Sequence, residues 1–232
     1  MKRHLTIVSF FLAALAVIAG ISFANGFGET PAAAFQPDVK EIAPPVPSSA
    51  AVRYRVDAGK STFTVRALAG GLFSALGHDH TIAIRDFSGE SQLTPDSIQP
   101  ASLQMTIKAA SLAVTDKVSD SDRQEIEKTM REEVLETGKY PEIVFKSTRV
   151  EADRTGEGEY RARIFGDFTL HGVTRNGVIA AQLTLSGNTL RARGQFSLKQ
   201  SEYNIKRVSV AAGTINVKDE LKLSFDMIAH KQ

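Results

Sequence analysis

The chain has 232 residues, 42% of them hydrophobic and 23% charged, with no cysteine and no tryptophan. There are 28 lysines and arginines against 26 acids; Lys2 and Arg3 fall in an N-terminal leader, so the rest carries 26 of each and is nearly neutral. No basic block remains to follow a nucleic-acid backbone, and without cysteine there is no disulfide or lipid-modified cysteine, so a folded domain must be held by its core alone.

The leader reads MKRHLTIVSFFLAALAVIAGISFANG. A basic start, an apolar run from Leu5 to Phe23 and small residues before Ala24 make the pattern of a secretory signal peptide over residues 1–24. An uncleaved anchor is the alternative, since the run nearly reaches the roughly 20 residues that cross a bilayer. Either way the expected location is periplasmic or secreted. Residues 25–50 hold Pro31, Pro37, Pro44, Pro45 and Pro47 among alanines and serines. With no apolar period to bury, they read as an extended linker. One domain of ordinary size is left, residues 51–232.

Within the domain the dominant hydrophobic period is two, the strand period. A short segment around Tyr54 comes first, followed by Phe63-Thr64-Val65-Arg66 and a segment around Ile82. Leu103 to Lys108 alternates cleanly, and segments around Ile143, Ile164 and Ile179 precede Leu190–Lys199 and Leu221–Met227. Thr155-Gly156-Glu157-Gly158, Asn176-Gly177 and Gly187-Asn188 punctuate them as expected tight turns. About eight strands with short connections predict an all-β, antiparallel fold, closed on itself or folded into a sandwich.

One stretch departs from the strand pattern. Ser119–Glu136 has helical composition, with Ser119, Ser121 or Asp122 to cap its start and Gly138 to end it. Ile126, Met130 and Val134 form one apolar stripe, and the other faces are mainly acidic. This predicts a solvated helix lying across the end or side of the barrel, with a partner-docking acidic face as the alternative.

If the strands close, the inward candidates are Phe63, Val65, Met105, Ile107, Phe145, Phe165, Phe196, Leu198, Leu223 and Phe225. Small residues such as Ala192 and Gly194 stand among them. A barrel of eight strands has room for packed side chains or for one slender ligand, and the residues leave both open.

The stretch GLFSALGHDHTI, residues 71–82, sets His78 and His80 one residue apart. On a strand they would share a face and could share an ion, with His171 and Asp79 or Asp86 as further ligands. The other reading is a polar rim where a ligand head group meets solvent, with Gly70, Gly71, Gly77 and Phe73 forming a mobile apolar gate. His171 by itself reads as a structural donor and acceptor fixing the turn before Asn176-Gly177. No nucleophile elbow, phosphate-cradling loop or dinucleotide fingerprint is present, so no enzyme and no catalytic residue is expected.

Several segments carry a family resemblance. They are Tyr54, Asp57 and Ser61 in YRVDAGKS, Phe87 and Gly89 in RDFSG, KYPEIVFKST at 139–148, GDFTLHGVT at 166–174 and VKDELKL at 217–223. Together they make the chain, from Tyr54 to about Ile228, similar to the YceI-like family of secreted, lipocalin-like antiparallel barrels described as binding polyisoprenoid lipids. Lys60 and Ala67 replace histidines common in that family, and Arg123-Gln124-Glu125-Ile126 stands where an Arg-Asp-x-His-Leu run is usual.

The resemblance implies a lipocalin-like β-barrel with one inserted helix near residues 119–136. It would be an exported carrier or sequestering protein for a long apolar lipid, a polyisoprenoid or an isoprenoid quinone. The ligand site would comprise the inward residues above together with Phe73, His78, His80 and His171. No cofactor, resident metal or nucleic acid is expected; transient membrane contact and a homodimer are compatible with the sequence. A periplasmic metal-binding domain built on His78, His80 and His171, or a filled-barrel interaction module, is the alternative.

Overall fold

The computed structural model describes residues 50–71, 78–95, 97–210 and 215–232. The leader, the linker through residue 49 and Phe73 lie outside the described residues. The strands are β1 (Val52–Val56), β2 (Thr62–Gly70), β3 (His80–Ile84), β4 (Phe87–Leu93), β5 (Ala101–Lys108), β6 (Leu112–Val114), β7 (Glu142–Gly156), β8 (Glu159–Leu170), β9 (Val173–Ser186), β10 (Thr189–Lys199), β11 (Ser209–Val210) and β12 (Ile215–Lys231).

Three pairs of these are single strands with a kink. β1 and β2 run end to end along β12, with Tyr54 opposite Lys231 and Phe63 opposite Phe225. β3 and β4 continue one another against them, as do β5 and β6 in the next position. Counted this way, an eight-stranded antiparallel barrel closes where β12 meets β1 and β2.

The β1–β2 kink shows why YRVDAGKS is spaced as it is. The Asp57 carboxylate accepts the Gly59 N–H at 3.1 Å. Ser61 Oγ donates to the Asp57 carbonyl at 2.7 Å and accepts the Ile228 N–H at 2.9 Å. The backbone groups freed by the break therefore find partners, as groups withdrawn from water must.

A second irregularity lies in the KYPEIVFKST segment. The β7–β8 register shifts between Ser147 and Arg149, so Ile143 and Phe145 face inward before the bulge, and Val150 does so after it. The bulge strands one donor, and Ser147 Oγ accepts the Leu103 N–H at 2.7 Å. Ser147→Ala should cost about 1–3 kcal/mol, because the Leu103 donor is then left half-buried without an acceptor. Urea unfolding of the two proteins measures it.

The expected turns at residues 155–158 and 187–188 are present, but Asn176-Gly177 is not a turn. Both residues sit inside β9, opposite Asp167 and Gly166. The chain reverses instead at His171 and Gly172, whose φ angles of 51° and 73° are both left-handed. Two such residues make the tight hairpin whose twist suits antiparallel strands. A side chain at Gly172 would also collide with Tyr140, 2.6 Å from where its Cβ would lie.

Helix α1 (Asp120–Thr129) follows β6, capped by Ser119 Oγ, which accepts the Asp122 N–H at 3.1 Å. It runs on as a π turn over Met130–Val134. Glu136, with φ 44°, rather than Gly138, takes the left-handed position after it. The helix also covers an exposed sheet edge. Val114 of β6 donates its N–H to Glu127 Oε1 at 3.0 Å, and its carbonyl accepts from Arg123. Side chains thus complete a strand that ends the sheet, where a bare edge invites unwanted pairing.

Candidate functional site

The barrel interior is not filled. An upper chamber of about 130 Å³ lies between Leu93, Ile98, Met105, Leu183, Leu190 and Ala192. A lower chamber of about 360 Å³ lies towards α1, between Val65, Ile82, Leu112, Met130, Leu135 and Leu223. Phe63, Ile107, Ile143, Phe168 and Phe196 line both, so the two adjoin at an aromatic waist. The rings of Phe87, Phe63, Phe225, Phe196, Phe168 and Phe145 follow one another with centroid separations of 6.3, 6.4, 6.4, 5.3 and 4.5 Å. Their edge-on and tilted contacts are the arrangements that ring quadrupoles favour.

Space remains because glycines face the bulkiest inward residues. A Cβ on Gly89 would meet the Met105 sulfur, and one on Gly166 or Gly194 the ring of Phe145 or Phe225. The walls are apolar throughout the upper chamber except at Ser91, Gln92 and Ser102. In the lower chamber the polar lining is His80, Glu125, Thr129 and Gln200. An enclosure this apolar holds water poorly; a comparable dry cavity of about 150 Å³ takes up benzene.

The site residues expected from the sequence are distributed as follows. Met105, Phe145 and Phe225 line the upper chamber, Val65 the lower one, and Phe63, Ile107 and Phe196 both. Phe165 does not face inward. It lies on the outer surface, with the Arg149 guanidinium 4.0 Å and that of Arg163 5.8 Å from its ring centroid. The strand's inward set is Tyr160, Ala162, Ile164, Gly166 and Phe168, so Phe168 is the lumen aromatic that sequence reasoning missed. The signal was present: placing Phe165 inward would have buried Arg161 and Arg163 with it.

The histidines do not come together as a metal centre. His80 stands at the rim of the lower chamber, where its Nδ1 is 3.0 Å from Asp116 Oδ2. Asp116 also accepts the Thr81 N–H at 3.0 Å. His78 is exposed and lines neither chamber. His171 sits at the β8–β9 turn, with Nε2 2.7 Å from Glu136 and Nδ1 3.2 Å from the Tyr203 carbonyl. Among the described residues no three His, Asp or Glu side chains converge as a metal site. The alternative centred on His78, His80 and His171 is therefore corrected: His80 and His171 are each paired with a different carboxylate, and His78 stands apart from both.

Gln200 is the one buried polar residue among the described core positions, at 4% exposure, and it borders the lower chamber. Its Nε2 donates to the Lys218 carbonyl at 2.9 Å, inside the bulge that shifts the β12–β2 register. Asp219 holds the same bulge, accepting from the Ser201 N–H at 2.8 Å and Ser201 Oγ at 2.6 Å. Those hydrogen bonds, the hydroxyl's first, hold its carboxyl below the ordinary range. A carboxyl whose folded pKa is depressed stabilises the fold above its unfolded pKa, and the effect disappears as pH falls through the folded value. Asp219→Asn should therefore lower the urea midpoint at pH 7, and the gap to wild type should close below about pH 4.

Comparison with known proteins agrees with this geometry. A family model described as the YceI-like domain matches residues 54–229. The chain belongs to the YceI-like family. Among curated relatives, a UPF0312 protein of Vibrio parahaemolyticus is 32% identical over 103 residues, 44% of this chain and 49% of that one. One from Pseudomonas savastanoi is 28% identical over 153 residues, 63% of this chain and 72% of that one. The match thus spans about half the length of the Vibrio relative. Among solved structures, Burkholderia cenocepacia BcnA superposes with a TM-score of 0.56 at 20% identity, covering 75% of this chain and 98% of that one. A polyisoprenoid binding domain from Saccharophagus degradans does so at 0.56 and 16% identity, covering 78% and 99%. At such identities the likeness is one of fold: a closed antiparallel barrel with one helix.

Proposed function

We propose that this YceI-like protein is an exported carrier that shields one long apolar lipid, a polyisoprenoid or an isoprenoid-tailed quinone, inside its barrel. The observation that carries the reading is the pair of adjoining apolar chambers. The lower chamber, at about 360 Å³, falls in the range of small-molecule sites, about 300–1,000 Å³. A tail without hydrogen-bonding groups would gain about 0.8 kcal/mol for each methylene it buries. Selection would then act on length and width.

Two further lines support the reading. The solved domain from Saccharophagus degradans is described as polyisoprenoid binding. The N-terminal leader has the form of an export signal, which fits delivery of a lipid outside the cytoplasm. Organic extraction of the purified protein followed by mass spectrometry should release a lipid of the isoprenoid class, and the stripped protein should reload it. A protein that yields no lipid and takes up neither a polyprenol nor a quinone would refute the reading.

A further inference from the structure

The barrel wall is only partly zipped between β9 and β10. Their ladder ends at the pair Ala181–Gly194. β9 nevertheless stays paired with β8 as far as Val173, and β10 with β12 as far as Lys199. Val173–Ala180 and Gln195–Lys199 therefore flank a gap with no ladder pairs across it. Its far end is tied by Arg175 Nε, which donates to the Glu202 carbonyl at 3.0 Å.

At the near end Gly194 has no side chain to cover the wall. Phe225 stands directly opposite it, and a Cβ on Gly194 would lie close against the Ala180 carbonyl oxygen of β9 and 2.6 Å from the Phe225 ring, so the strands part only beyond this pair. Phe225 lines the upper chamber and also a shallow, open cleft on the outer face. Its ring thus borders both the lumen and the outside.

Two arginines and one carboxylate, Arg161, Arg193 and Asp226, line the cleft. Arg161 lies opposite Gln182, and Gln182 opposite Arg193. Directly opposed residues are about 5 Å apart at Cβ, so the two guanidiniums flank one amide within reach of a shared ligand. Nearby arginines are engaged. Arg149 and Arg163 share Glu151, and Arg191 grips Asp226 through contacts of 2.8 and 2.6 Å. Among the described residues neither Arg161 nor Arg193 has a carboxylate within 4.0 Å. Asp153 faces Arg161 across the ladder beyond that distance. Asp226, opposite Arg193, has both oxygens hydrogen-bonded by Arg191, which with the more distant charge of Arg193 holds its carboxyl below the ordinary range, so the two arginines around it leave the cleft net positive.

The other opening has the opposite sign. Glu125 rims the lower chamber, and Asp120, Asp122, Glu132 and Glu133 share its helical segment. An anionic head group is repelled there and attracted at the cleft. Two planar forks beside an amide donor suit a tetrahedral oxyanion, which accepts paired hydrogen bonds.

We infer that Arg161 and Arg193, with Gln182 between them, bind a phosphate-type oxyanion at a window in the β9–β10 wall, where the head of a lipid whose tail fills the lumen emerges past Phe225. This rests on the carrier reading and adds the chemical class of the head group.

The test compares a polyprenyl monophosphate, the polyprenol of equal length and inorganic phosphate, titrated into wild type and an Arg161→Gln, Arg193→Gln double variant. Melting curves establish that the variant is folded. Wild type should prefer the phosphorylated lipid about tenfold at low salt, with the preference fading as salt screens the guanidiniums. The variant should lose the preference and keep its polyprenol affinity. Equal binding of the two lipids by wild type, or a preference that survives in the variant, would overturn the inference while leaving the carrier reading intact. If neither lipid binds wild type but inorganic phosphate does, and the variant loses it, the carrier reading fails and the oxyanion site stands for a soluble phosphate. Binding of none of the three overturns both.

Discussion

Gly166→Val should be among the most damaging single changes in the barrel wall, lowering stability by about 3 kcal/mol, the upper end of what overpacked cores usually show. A Cβ at this position would lie 2.5 Å from the Lys146 carbonyl oxygen and 2.6 Å from the Phe145 ring. The ring could swing aside, but the carbonyl belongs to the neighbouring strand, so relief requires β7 and β8 to separate. The bulge at Ser147 to Arg149 starts beside the same contact. A useful control lies opposite, at Gly177, where a Cβ would meet only the Phe168 ring, at 3.3 Å. Gly177→Ala should change stability by less than about 1 kcal/mol. Urea unfolding of both variants checks the contrast, and equal losses would show that close backbone approach does not set this wall.

Filling the upper chamber should remove long-chain lipid binding. Ala192 points into that chamber between Leu183 and Met227, its ladder neighbours. Ala192→Phe would put a ring into about 130 Å³ of empty apolar space, so the fold should gain contacts and keep its melting temperature. A long tail would then lose the methylenes that reached past the waist. At about 0.8 kcal/mol each, two of them already cost roughly tenfold in affinity. Short tails that occupy only the lower chamber should bind as before. Because the chain has no tryptophan, Phe196→Trp places a single fluorescent reporter at the waist for these titrations. A variant that binds long and short tails with unchanged affinity would place the ligand elsewhere.

Much of the fold was legible in the chain. Leu190–Lys199 alternates so regularly that its inward set, Leu190, Ala192, Gly194, Phe196 and Leu198, could be read directly. The KYPEIVFKST and LHGVT segments marked the family before any geometry was known, and the helix stripe Ile126, Met130 and Val134 does face the lumen. The misreadings cluster where a local period is ambiguous. Ile164 and Phe165 are adjacent apolar residues, so either parity fits a short window, and only pairing along all of β8 puts Phe165 outside. Asn176-Gly177 has turn chemistry, yet the left-handed pair His171-Gly172 set the hairpin because Glu136, Tyr140 and Tyr203 converge on it. Those partners lie 31 to 35 residues away in sequence, beyond any turn rule.

By itself the sequence determined a cysteine-free chain of alternating strands whose apolar face had to leave water, because side-chain direction along a strand depends only on neighbouring residues. Tertiary structure alone decided that the enclosed space is hollow, that an aromatic waist divides it, and that the β9–β10 ladder stops short. Those features depend on how far apart strands distant in sequence come to lie once the sheet closes. The bulge in β7 and the glycines facing Met105, Phe145 and Phe225 set those separations, and only the closed barrel brings them to bear on one another.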